Sequence, residues 1–222
     1  MTYRVLVIND DAFELATLSA ALRLHTINVI GEAKNLAVAE NLFRSLQPEV
    51  LVIDIQFDGQ EAISFLKKLR KLNPSLGIVL TTACPDLRLL GIAVKDVPTG
   101  TQLILKKSIS SLEVIAETIR TSVEIAESKK PMLWVDSHGS LHENAFASVL
   151  SAMTDTQIET LRLVATGLSN AEIGRVRFVS EKSVEQIVAR IAGHFTIAPD
   201  RTRNLRVLIA GQYYKWIGAP RH

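Results

Sequence analysis

Over roughly the first 125 residues the chain alternates between two periodicities. Short apolar runs rich in β-branched residues (RVLVIN, INVIGEA, EVLVIDI, LGIVLTT and TQLILKK) are separated by stretches whose apolar residues recur at helical spacing. FELATLSAALRL is the first of these, with Phe13, Leu18 and Leu22 on one face. LAVAENLFRSL, EAISFLKKLRKL, DLRLLGIAV and SLEVIAETIRTSV follow. Strand then helix, five times over, predicts a parallel sheet with helices on both faces. The near-continuous apolarity of the strands fits a sheet covered on both sides. DLRLLGIAV, which ends near KDVPTG, carries the weakest helical pattern of the five.

The alternation stops at ESKKPMLWVDSHGS, where Lys, Pro, Gly and Ser mark a linker and Trp134 is expected to pack on one domain or the other. Beyond it the chain is helical. Thr154 to Gln157 is a capping box, in which hydroxyl and amide satisfy each other's backbone N–H groups. Gly167 ends that helix. Ser169 to Glu172 has the form of a second capping box, opening a helix to about Arg177. Ser180 caps a third helix, with a core stripe of Val184, Val188, Ile191 and Phe195. A last helix follows Asp200, with Leu205, Leu208 and Ile209 apolar. Two helices joined by a tight turn between supporting helices make a helix-turn-helix. The boundaries read 1–127, a linker over 128–149, and 150–222.

Charge adds an asymmetry to this division. The net charge of +2 is the sum of −2 over residues 1–127 and +4 over residues 128–222. A basic second half suits a polyanionic partner. Cys84 is the only cysteine, so no internal disulfide forms and a reducing compartment is expected. The start MTYRVLVINDD is too soon interrupted by acids for a signal peptide, and no run reaches the roughly 18 apolar residues of a membrane span. We expect a cytoplasmic protein with no membrane partner.

In an open parallel sheet, ligands sit beyond the carboxyl ends of the strands. Those ends carry Asn9, Asp10 and Asp11 after the first strand and Asp54 on the third. Thr81 and Thr82 close the fourth, and Lys106 and Lys107 follow the fifth. Carboxylates, a hydroxyl and an ammonium would converge on one crevice. Carboxylate oxygens suit a hard cation such as Mg²⁺, and Lys and Thr can hold phosphoryl oxygens. Taken singly, Asp10 or Asp11 is explained as the cap of the helix that follows. No glycine-rich loop follows the first strand, which argues against a dinucleotide site.

With these positions, residues 3–125 resemble a response-regulator receiver domain. The resemblance implies a flavodoxin-like (βα)5 fold and a phosphoryl group accepted by Asp54 from a sensor histidine kinase. It also implies Mg²⁺ held by Asp10 and Asp54 with Asn9, and phosphoryl oxygens held by Thr81 and a lysine. Lys107 aligns slightly better than Lys106, and both stay candidates. Three positions depart from the pattern. Asn9 replaces the first acid of the usual pair, IQFDG lacks a proline, and Ile104 stands where a switch aromatic is usual.

Residues 153–197 resemble the LuxR-type helix-turn-helix of NarL-like regulators, through GLSNAEI and SEKSV at their characteristic separation. The resemblance implies an all-α four-helix domain and a homodimer on inverted half-sites of double-stranded DNA, with the helix from Glu181 to Arg190 in the major groove. Lys182, Ser183, Glu185, Gln186 and Arg190 are the candidate contacts. Glu185 and Ile187 replace a common Lys and His, so the outer face is close to neutral. Phosphate contacts supply most affinity, and Arg175, Arg177, Arg201, Arg203 and Arg206 are candidates to supply the charge. Glutamate can still accept from cytosine and glutamine can pair with adenine. Tyr213, Tyr214 and Trp216 offer an apolar surface for dimerisation or pack within their own domain.

The expected function is transcription regulation through a receiver input. An alternative is a phosphorylation-independent regulator, or a protein-interaction adaptor that has lost DNA binding. An enzyme is not expected, because no nucleophile–base constellation or metal-ligand cluster appears outside the crevice.

Overall fold

The central strands are buried along their whole length because both of their faces are apolar. In the computed structural model, which describes residues 3–55, 59–108, 111–136, 138, 141–142, 148–198, 200 and 202–217, β1 is Arg4–Ile8, β2 Asn28–Ala33, β3 Val50–Asp54, β4 Gly77–Thr82 and β5 Thr101–Leu105. The order β2-β1-β3-β4-β5 is parallel throughout. Alternate residues point to opposite faces. Val5, Val7, Val50, Val52, Val79 and Ile104 form one core with α1 (Ala12–Leu24) and α4 (Leu112–Glu127). Helices α2 (Leu36–Leu46) and α3 (Gly59–Leu72) bury Phe43, Phe65 and Leu66. The parallel sheet with flanking helices is the architecture that the alternating pattern predicts.

Two elements differ from the expectation. DLRLLGIAV is not a helix of the sheet layer but two short 3-10 turns, Leu87–Leu90 and Val94–Asp96. Asp86 caps the first through the Arg88 N–H, and Gly91 stops it at φ 76°, a conformation glycine adopts without strain. The linker, in turn, contains structure. Leu133–Val135 forms β6, parallel to β5, and buries Trp134; Leu141–His142 forms β7, antiparallel to β6. Helix α4 therefore serves as the crossover from β5 to β6.

The chain divides into two compact units. One comprises residues 1–83 and 92–145, the other residues 84–91 and 146–222. The second holds α5 (Ser148–Ser151), α6 (Asp155–Ala165), α7 (Asn170–Arg177), α8 (Glu181–His194) and α9 (Leu205–Ile217). Its core joins Leu150, Ile158, Leu161, Ile173, Val184, Val188, Ile191 and Ile209 to Cys84 and Leu89. The Thr154–Gln157 capping box is complete. Only half of the Ser169 box forms: Ser169 accepts from the Glu172 N–H, while the Glu172 carboxylate pairs with Arg175. A β-carbon at Gly174 would lie 2.7 Å from the Val179 carbonyl oxygen, so a glycine is needed where α7 turns into α8. The aromatic residues of α9 pack inward. Tyr213 is buried, Tyr214 donates to the Ala165 carbonyl, and Trp216 meets Phe195 edge-on. They do not form a free apolar surface for dimerisation. Among the described residues no helix is long and apolar enough to cross a membrane.

Candidate functional site

Strand register gathers the first set of site residues. Asp54 ends β3 directly beside Thr81 on β4, and Thr81 is paired in turn with Ile104 on β5. The chain beyond β5 tightens into a 3-10 turn over Lys106–Ser108. That turn aims Lys106 inward and leaves Lys107 exposed. The Lys106 ammonium donates to Asp54 Oδ2 at 2.9 Å, and the Asp54 side chain is fully buried. Of the two candidate lysines, Lys106 is the one that contacts Asp54. The reason is local: one residue of a tight turn changes which side chain faces the crevice.

A residue that the strand-end pattern does not pick out completes the network. Glu14 Oε2 accepts from Lys106 Nζ at 2.5 Å and from Asn9 Nδ2 at 3.0 Å. Asn9 Oδ1 in turn accepts from the Asp11 N–H at 2.9 Å. Asp11 caps α1 by accepting from the N–H groups of Phe13 and Glu14. One signal for Glu14 was present in the sequence. It lies three residues after a cap, in the first helical turn, where the exposed N–H groups favour a carboxylate. Burial works against a charged Lys106, but the charges and hydrogen bonds of Asp54 and Glu14 together outweigh it and raise its pKa. A cavity of about 340 Å³ opens against Asn9, Glu14, Thr81 and Lys106, with Phe13 and Ile115 on its apolar wall.

The same contacts decide what Asn9 offers a metal. Its amide oxygen is engaged by the Asp11 N–H and its amide nitrogen by Glu14, so the hydrogen bonds it makes hold the β1–α1 turn. The amide oxygen keeps a second lone pair, so the Asp11 N–H leaves Asn9 able to support a metal-bound water. Asp10 is half-buried and Asp54 is buried at the crevice. No group of three metal-ligating side chains occurs among the described residues. Two carboxylates still fit Mg²⁺, which keeps several waters and takes one or two carboxylates plus phosphate oxygens.

The second set lies on α8. Ser180 caps it through the Ser183 N–H, and the Ser180 and Ser183 hydroxyls lie 2.8 Å apart. Val184, Val188 and Ile191 bury one face, which leaves Glu181, Lys182, Glu185, Gln186 and Arg190 exposed on the other. Among the described residues Lys182, Glu185, Gln186 and Arg190 have no ion-pair partner. The flanking arginines are more committed than the sequence suggested. Arg177 is turned inward, its side chain 12% exposed, donating to Glu159 at 3.1 Å and to the Thr160 hydroxyl at 2.7 Å. It reaches back to α6, so it is not part of the outer face. Arg206 donates to the Leu168 carbonyl and to Asn170. Arg175 and Arg203 are exposed but paired with Glu172 and Asp200. Arg201 lies outside the described residues.

Comparison with known proteins places both units. The sequence profile of the response regulator receiver domain matches residues 5–120, and that of the bacterial regulatory proteins of the luxR family matches residues 151–198. The transcriptional regulatory protein LiaR of Bacillus subtilis (strain 168) is 29% identical over 207 residues, covering 90% of this chain and 93% of its own. Among solved structures, RcsB from Salmonella enterica serovar Typhimurium, bound to promoter P1flhDC with the phosphomimetic BeF3−, superposes with a TM-score of 0.57 at 19% identity, over 96% of this chain and 98% of its own. An RcsB–DNA complex gives 0.54 at 18% identity, over 98% and 100%. At these identities the structural likeness speaks to the fold alone.

Proposed function

Because the chain belongs to the response regulator receiver domain family and carries a luxR-family helix-turn-helix behind that domain, we propose that it is a DNA-binding transcription regulator of a two-component system, controlled through phosphoryl transfer to Asp54. The observation that carries the reading is the Lys106–Asp54 pair at 2.9 Å, with Thr81 in register beside it. A buried carboxylate held by an ammonium is placed to attack an incoming phosphoryl group. The same ammonium and the Thr81 hydroxyl then stand where negative charge gathers on the transferred oxygens.

Each residue has a role in that step. Asp54 is the acceptor, and one of its carboxylate oxygens forms the new P–O bond as the donor's bond to phosphorus breaks. Lys106 turns from the carboxylate to the phosphoryl oxygens. Glu14 positions Lys106 and, through Asn9, the β1–α1 turn. Asp10 and Asp54 would hold Mg²⁺, which when bound supplies charge neutralisation at the phosphoryl oxygens. The phosphoryl donor is a sensor histidine kinase.

In the helical unit, α8 lies in a major groove with Lys182, Ser183, Glu185, Gln186 and Arg190 toward the DNA, and Arg175 and Arg203 toward the flanking phosphates. A two-fold dimer would match a palindromic site. The test is selection of bound sites from a random DNA pool, with and without acetyl phosphate and Mg²⁺. Enrichment of a palindromic site, stronger with the phosphoryl donor, is expected. A pool that stays unenriched at low salt in both states removes the DNA-reading function and leaves the adaptor.

A further inference from the structure

Most of the wall of the cavity beside the crevice is apolar, which a phosphoryl group does not require. Helix α1 buries Leu15, Ser19 and Leu22 on one face and turns a second stripe toward the cavity. That stripe is Phe13, Thr17 and Ala21, one turn apart, with Leu18 beside them. Leu112 and Ile115 of α4 line the same space. Thr17 and Ala21 are too small to fill it. Phe13, 79% exposed, and Leu112, 38% exposed, leave apolar surface in water that an occupant would cover. The volume, about 340 Å³, falls at the lower end of small-molecule sites, which run from roughly 300 to 1,000 Å³.

The polar end of the cavity offers donors. Thr81 is buried, at 3% exposure, and among the described residues its hydroxyl has no hydrogen-bond partner. A buried hydroxyl left unpaired is costly, and an occupant of the cavity would relieve it. Lys106 directs two of its three hydrogens to Asp54 and Glu14, and the third has no acceptor among the described residues. Charge then selects the acceptor. The one ammonium is outnumbered by the carboxylates of Asp54 and Glu14, and Asp10 and Asp11 lie close by in the chain. An anion would enter a negative field, and a cation would meet the two donors head-on. A neutral carbonyl oxygen accepts from both without either penalty. We propose that this cavity binds a small uncharged molecule with an apolar body and a carbonyl group, the body between α1 and α4 and the oxygen on Thr81 and Lys106. The site goes beyond the phosphoryl reading and does not depend on it, because the unphosphorylated crevice supplies both donors.

Three probes of similar size and different head group test this: benzylacetone, hydrocinnamate and phenylpropylammonium, a ketone, an anion and a cation on a phenylalkyl body. Each is titrated into the full chain without acetyl phosphate or Mg²⁺, and methyl proton–carbon NMR spectra report Leu18, Leu112 and Ile115. The ketone should shift these methyls saturably, with a Kd on the order of 1 mM for a molecule of this size. The two charged probes should bind about tenfold more weakly or worse. In Thr81→Val, which keeps the shape and removes the hydroxyl, the ketone should bind about fivefold more weakly. Ala21→Leu, which fills the cavity from the surface of α1, should abolish the shifts. No shift with any probe overturns the proposal, as does a charged probe that binds as tightly as the ketone. An affinity unchanged in Thr81→Val removes the carbonyl contact, and one unchanged in Ala21→Leu removes the cavity; either result overturns it too. Methyl shifts that grow with protein concentration in the absence of probe, and that exclude the ketone, would assign this face to a second copy of the chain and equally overturn the small-molecule site.

Discussion

The crevice and the outer face of α8 both depart from their families by a change of charge, and they accommodate it in different ways. At the crevice an acid is missing at Asn9, and Glu14 returns a carboxylate to the same spot, bound to Asn9 and shared with Lys106. On α8 an acid has been added at Glu185, and among the described residues no basic side chain pairs with it. Arg177 and Arg206 bond within the unit, while Arg175 and Arg203 pair with neighbouring acids. The difference follows from solvation. A buried charge without a partner costs several kcal/mol, so a change in the crevice requires a compensating one within hydrogen-bond reach. An exposed glutamate in water costs almost nothing, so α8 can carry Glu185 unpaired and reserve it for a partner outside the chain.

The largest effects should come from breaking the crevice network. Asp54→Asn removes the acceptor, and intact-mass measurement after acetyl phosphate and Mg²⁺ should then show no adduct. Lys106→Met should slow adduct formation by roughly 10²-fold, the usual consequence of deleting a charge-stabilising donor. Lys107→Met should leave the rate within about twofold, since Lys107 is exposed outside the network. Equal losses in the two lysine variants would contradict the geometry of the turn after β5.

A smaller effect separates inward from outward arginines. Arg177→Ala deletes hydrogen bonds to Glu159 and Thr160 and should destabilise the helical unit by about 2–3 kcal/mol. For a unit of this size that is a fall in its melting midpoint of roughly 10 °C or more. At temperatures where the variant is folded, the salt dependence of its DNA binding should match the wild type. An undiminished midpoint combined with a shallower salt dependence would return Arg177 to the DNA face.

These contrasts also show what could be read in advance. The strand ends were legible, because five apolar runs and their terminal polar residues place Asp54 and Thr81 without knowledge of any contact. The stripe of α8 was legible for the same reason of periodicity. Lys106 was not, since the choice between adjacent lysines is made by a 3-10 turn and by Glu14, 92 residues away. The inward turn of Arg177 depends on Thr160 and Glu159 in another helix. β6 is only three residues long and follows a Lys-Lys-Pro stretch, so its strand character comes from its partner β5 rather than from its own sequence. Residues 84–91 gave the most misleading pattern. Leu87, Leu89 and Leu90 resemble a helix face, yet Leu89 and Leu90 pack in the core of the helical unit, whose other residues begin about sixty positions later. Local pattern identifies what is apolar; it does not say which surface will cover it.

The finest distinction lies along α8 itself. If Glu185 is held free of intrachain partners in order to read a base, then Glu185→Lys should raise nonspecific affinity through its two-unit change of charge. It should also lower discrimination among sites by about 1–3 kcal/mol, the worth of one good base contact. Lys182→Ala and Arg190→Ala should behave differently, weakening binding to all sequences alike. A cation that no longer meets its phosphate releases no counterion, so each variant should shallow the plot of log affinity against log salt by about one unit. Measured as electrophoretic shifts over a salt series on a selected site and a scrambled one, these effects are separable. Glu185 moves the gap between the two lines, and Lys182 or Arg190 moves their slope. A Glu185→Lys protein that gains affinity with its discrimination intact would mean that Glu185 faces a phosphate or solvent. The neutral face of α8 would then be a brake on affinity, not a reader of sequence.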